Sequence, residues 1–94
     1  MKKYEVMFIV KSIEEEVVNA MVEKVENLIT KNGGTVEKVD RWGKRRLAYE
    51  VKKTAEGYYV LINFDADPAI IAEIDRVMKI TDEILKHMIV KNDK

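Results

Sequence analysis

Fourteen residues, Asp40 to Lys53 (DRWGKRRLAYEVKK), gather six of the chain's 17 Lys and Arg around its only tryptophan, Trp42. Cations at this density can neutralise the phosphates of a polyanion, and the indole beside them offers apolar contact area. Across residues 37–53, Lys38, Arg41, Lys44, Arg45, Arg46, Lys52 and Lys53 meet only Glu37, Asp40 and Glu50. That is a local excess of four positive charges in a chain whose 17 basic and 17 acidic residues otherwise balance. The second half of the stretch alternates as a β-strand does, with Leu47, Tyr49 and Val51 on one face and Arg46, Ala48, Glu50 and Lys52 on the other. An interior strand would not carry so many cations. An edge strand would, because Lys and Arg keep its unpaired N–H and C=O groups from pairing with other copies. Charge of either sign serves that purpose, so the bias toward cations points to an anionic partner as well.

Covalent and metal chemistry find little to work with. The chain has no cysteine, which excludes disulfides, thiolate metal sites and thiol nucleophiles. His87 is the only histidine; between Lys86 and Met88 on a strand it is expected at a surface or interface, not as a general base. Glu14, Glu15 and Glu16 are read as anions complementing a helix dipole. No glycine loop is arranged to cradle phosphate, and no nucleophile has a base with an orienting group. The chain is therefore expected not to be an enzyme, to need no cofactor or metal, and to take no small-molecule substrate.

The elements that must carry the basic segment follow from periodicity. Residues 3–10 alternate with both faces largely apolar, the pattern of a central strand. Ser12 reads as an N-cap with Glu15 completing a capping box. Val17, Val18, Met21, Val22, Val25, Leu28 and Ile29 recur at helical spacing, and Asn32-Gly33-Gly34 supplies a C-cap. Residues 35–52 form a long second strand with an irregularity near Trp42-Gly43. A turn at residues 53–57 leads into a third strand, GYYVLINFD. Asp67 caps a second helix with Pro68 at its first position and a buried stripe of Ile70, Ile71, Ile74, Val77 and Met78. Residues 83–90 form a fourth strand. The start, MKKYEVMFIV, is basic then apolar, but it is short, lacks a cleavage site and is interrupted by Glu5. It is read as a strand, and the protein as cytoplasmic and without membrane contact.

The order is βαββαβ within one domain, residues 1–94. Right-handed crossovers put both helices on one face of a four-stranded antiparallel sheet. This is the α+β, ferredoxin-like arrangement with strand order 4-1-3-2, in which the second strand is an edge. RNA-recognition domains share the fold and stack bases on spaced aromatics of the third strand. Here Val60 and Asn63 stand where aromatics are needed and Glu56 replaces a base, so stacking across the sheet is not expected. Tyr59, Leu61 and Ile9 remain as apolar groups on the uncovered face, a docking patch or ordinary apolar exposure.

The segments MKKYEVMFIV, VEKVDRWGKRRLAYEVKK and EGYYVLINFDA resemble the family of the sixth protein of the bacterial small ribosomal subunit, over residues 1 to about 92. The most specific match runs from Gly43 to Lys52: glycine, any residue, basic, polar, leucine, small, tyrosine, any residue, isoleucine, basic. Only Val51 departs from it. Members often carry a longer polar or acidic tail; with little chain beyond the fourth strand, a tail function is expected to be absent or to have been removed. The resemblance implies a structural role: binding the central domain of small-subunit ribosomal RNA during assembly, as a heterodimer with the eighteenth small-subunit protein. RNA contacts are then expected from Lys2, Lys3, Arg45, Arg46, Lys52, Lys53, His87 and Lys91. The partner protein is expected at Arg41, Trp42, Lys44, Arg45, Arg46, Leu47 and Tyr49. The competing reading is a self-associating ferredoxin-like regulatory domain that binds a small metabolite.

Overall fold

The computed structural model describes residues 2–11, 14–51 and 54–91, with the side chains of all of these except 47–51, 54 and 55. The elements are β1 (Lys2–Val10), α1 (Glu15–Lys31), β2 (Thr35–Val51), β3 (Thr54–Ala66), a 3-10 turn (Pro68–Ile70), α2 (Ile71–Lys79) and β4 (Ile84–Lys91). The sheet runs β2-β3-β1-β4, and every neighbouring pair is antiparallel. This is the expected ferredoxin-like order, with β1 and β3 central and β2 at an edge.

Alternation in the central strands builds the core. Tyr4, Val6, Phe8 and Val10 of β1 and Val60, Ile62 and Phe64 of β3 face the helices and are buried. Val18, Val22, Val25 and Ile29 of α1 and Ile74 and Met78 of α2 close over them. Tyr4 lies opposite Phe64 across the ladder, and their rings stack with centroids 5.8 Å apart. Both helices therefore cover one face of the sheet and leave the other open.

Two boundaries differ from expectation. The Ser12–Glu15 capping box does not start α1. Glu14 is still extended (φ −71°, ψ 128°) and occupies the N-cap without a side-chain capping bond, while Ser12 lies outside the described residues. Glu15 and Glu16 fill the first turn, where the dipole favours anions. The turn expected at 53–57 is also replaced: β3 begins at Thr54, Glu56 pairs with Arg46 and Gly57 with Arg45. Pairing along the extended run of β2 outweighs the turn preference of Gly57, and Ile9 packs so close over Gly57 that a Cβ there would overlap its Cγ2.

Other caps form as expected. Asp67 Oδ1 accepts from the Ala69 N–H at 3.0 Å, although it caps the 3-10 turn that leads into α2 and not α2 itself. At the end of α1, Gly33 (φ +89°) donates to Thr30 O at 3.0 Å and Gly34 donates to Ile29 O at 2.9 Å, the paired bonds of a Schellman motif. Gly34 is hemmed in: a Cβ would sit 2.7 Å from Ile29 Cγ2 and 3.0 Å from both Asp65 O and Ile29 O. Gly34→Ala is expected to destabilise the fold by about 1–3 kcal/mol through this overlap. Urea unfolding checks it; a midpoint equal to wild type would show that the α1–β2 junction can relax freely.

Candidate partner and nucleic-acid interface

β2 pairs only with β3, so its other flank is a free edge among the described residues. The strand is bulged between Val36 and Lys38 and again between Arg41 and Gly43, where Gly43 adopts φ +90°. Glycine is needed there because an L side chain is strained in that conformation. The second bulge decides the geometry of the basic segment. Trp42 and Arg45 are three residues apart, and in a regular strand would lie on opposite faces. The extra residue brings Arg45 opposite Gly57 while Gly43 is opposite Tyr59, so Arg45 joins the face on which Trp42 and Tyr59 meet. Their rings are parallel within 5°, with centroids 6.4 Å apart.

The two long strands also overrun the rest of the sheet. The β1 ladder on β3 ends at Val10–Tyr58, whereas β2 continues to pair with β3 as far as Thr54. Arg45 and Arg46 thus ride on a two-stranded arm. A cleft of about 310 Å³ lies at its root, lined by Trp42, Tyr59, Arg45 and Arg46.

The expected contact residues do not form one cluster. Arg45 and Arg46 are exposed and enter no salt bridge among the described residues. Lys44 Nζ is 3.5 Å from Glu56 Oε2, and Arg41 hydrogen-bonds Asn19 of α1 on the helix side. Lys2 is exposed at the far end of β1. Lys3 Nζ is 2.7 Å from Glu37 Oε1 and 3.5 Å from Asp65 Oδ1; the Glu37 hydrogen bond, then the charge of Asp65, hold its ammonium above the ordinary lysine range. Lys91 stands opposite Tyr4 near the same end. The side chains of Leu47 and Tyr49, and Lys52 and Lys53 entirely, lie outside the described residues.

His87 departs furthest from its expected role. It lies opposite Phe8 on the helix-covered side, with its side chain only 11 % exposed. Its Nε2 is 2.7 Å from Asp75 Oδ1, which ties β4 to α2. The bond engages one ring nitrogen within the fold. The His87 hydrogen bond is the main cause that holds the Asp75 carboxyl below its usual range, with Lys79 adding attraction. A depressed folded-state pKa contributes stability above the unfolded value, near 4, and the contribution is lost as pH falls through the folded value. Asp75→Asn is therefore expected to lower the melting temperature at pH 7 by roughly 2–4 °C, about 0.5 kcal/mol for this half-exposed group. The difference from wild type should vanish toward pH 2; a gap that stayed constant with pH would mean the carboxylate charge is not responsible.

The uncovered face is more apolar than the sequence reading allowed. Met88 and Val90 of β4 are 53 % and 49 % exposed, and with Trp42, Met7 and Leu61 they border one open groove. The signal was present in β4, where Lys86, Met88 and Val90 share a face opposite Ile9, Met7 and Glu5.

Comparison with known proteins fits this geometry. The family model described as Ribosomal protein S6 matches residues 3–91. The small ribosomal subunit protein bS6 of Desulforamulus reducens is 54% identical over 92 residues, 97% of each chain. That of Clostridium kluyveri is 54% identical over 95 residues, the whole of both chains. The crystal structure of 30S ribosomal protein S6 from Thermotoga maritima superposes with a TM-score of 0.90 at 34% identity, covering 97% of this chain and 87% of that one. A fold with an open basic edge and full-length likeness to these structural, non-enzymatic proteins leads to one assignment: the chain belongs to the ribosomal protein S6 family of the small subunit.

Proposed function

We propose that the chain binds the central domain of small-subunit ribosomal RNA in the cytoplasm during assembly, together with the eighteenth small-subunit protein docked along the β2 edge. The observation that carries this reading is the arm: an unpaired strand edge whose Arg45 and Arg46 lack acidic partners among the described residues. Backbone N–H and C=O groups along the edge can add a strand or segment of the partner. The arginines, with Lys2 and the cations at 52 and 53, neutralise phosphates and supply affinity without reading sequence. Shape and the composite surface made with the partner supply the specificity.

A metabolite-binding regulatory domain would need a polar pocket at a dimer interface. Full-length likeness to small-ribosomal-subunit proteins favours the ribosomal reading over it. The test is a salt titration of binding to a central-domain RNA fragment, with and without the partner. Weak, salt-sensitive binding alone and much tighter binding with the partner is the expected result. RNA affinity unaffected by the partner at every salt concentration would overturn the reading.

A further inference from the structure

Trp42 lies over the open sheet face, parallel to Tyr59. It remains 46 % exposed, so the stack leaves much of the indole available. The cleft it forms with Tyr59 is lined also by Arg45, on the same face, and by Arg46, the next residue along the strand, and its volume of about 310 Å³ is at the lower end for small-ligand sites. Aromatic faces bordered by cations that enter no salt bridge among the described residues match one chemistry in particular: a flat, uncharged ring attached to a phosphate. An apolar peptide segment would better match the adjoining groove, which Trp42 shares with Met7, Leu61, Met88 and Val90 and which no arginine lines.

We infer that this cleft receives an unpaired nucleobase of RNA, stacked on the Trp42–Tyr59 pair with its flanking phosphates on Arg45 and Arg46. The inference rests on the RNA-binding reading and adds a nucleotide-level site to it. The base must be unpaired, because the faces of a paired base are already covered by its neighbours in the duplex. The cleft provides stacking and charge, so the site tolerates different bases. It differs from stacking on spaced third-strand aromatics, which Val60 and Asn63 preclude. One member of the platform comes from a bulge in the edge strand, and that bulge is also what puts Arg45 on the same face.

Trp42 is the only tryptophan, so its fluorescence reports on the cleft directly. The probe is a single-stranded RNA hexamer of mixed sequence, compared with the duplex it forms with its complement. The single strand is expected to quench Trp42 emission and the duplex to leave it nearly unchanged. Tyr59→Leu should weaken single-strand binding about tenfold, and Tyr59→Phe should retain it, as expected for loss and preservation of one stacking surface. Thermal melts of both variants separate this loss from unfolding. If filter binding detects the single strand but Trp42 is unquenched, or if the duplex quenches equally, base stacking is overturned while RNA binding stands. A Trp42 response to the partner protein alone assigns the cleft to protein and also overturns it. Absence of RNA binding even with the partner present sinks the underlying functional reading itself.

Discussion

Replacing Arg45 and Arg46 together with alanine is expected to lower RNA affinity on the order of tenfold at moderate salt and to reduce the salt dependence by roughly two phosphate contacts. The two side chains stand on the arm where β2 and β3 outrun β1, exposed and without salt bridges among the described residues. Removing them should leave the core untouched, and surface changes of this kind usually stay within about 0.5 kcal/mol. A second effect separates this site from an ordinary basic patch. The same cations guard an unpaired strand edge, so the variant should self-associate more than wild type. Filter binding at several salt concentrations measures the first effect, and sedimentation at rising protein concentration measures the second. A double variant that stays monodisperse and keeps the wild-type salt slope would mean that the edge has been assigned the wrong role.

Phe8→Ala should give the largest loss of stability. Phe8 is fully buried on the central strand β1, with Val60 across the ladder on one side and His87 on the other. Truncating a buried phenylalanine costs about 3–5 kcal/mol, the lost transfer energy plus the cavity left behind. A domain of this size has of order 5–10 kcal/mol in total. The melting temperature should therefore fall by more than about 12 °C. Chemical denaturation should show a lower midpoint with the slope unchanged, because the surface exposed on unfolding is the same. Leucine at Val25 or Ile74 alters packing without deleting the volume and should cost much less. A Phe8→Ala midpoint near wild type would mean that the helices do not press on β1 as described.

The layout of the fold was legible wherever a residue's own neighbours determine its state. Apolar character on both faces marked β1 and β3 as central, and the Asn32-Gly33-Gly34 sequence marked the end of α1 because few other conformations suit it. The edge position of β2 followed from right-handed crossovers and the charge on the strand. Long-range pairing explains what was missed. Trp42-Gly43 announced an irregularity, but alternation counted along the chain cannot tell which face follows a bulge, so the company of Trp42 with Tyr59 and Arg45 stayed hidden. His87 was misjudged for a related reason. Its side of β4 could have been inferred from Ile89, two residues on, but the acceptor, Asp75, arrives on α2 only when the helix packs down. Gly57 looked like a turn because nothing local shows that β2 extends far enough to claim it.

The pairing of β4 with β1 has a consequence for the order of events at birth. Tyr4 and Lys91 are opposite each other in the sheet although most of the chain separates them. During synthesis β1 can meet β3 well before Ile84 to Lys91 have emerged, and until then one side of β1 has no strand beside it. Contacts between such distant segments make folding slow, and an open interior strand invites the wrong neighbour. The nascent chain is therefore most vulnerable in the interval just before its final strand is released, and a chaperone that shields β1 then would protect it at its weakest moment.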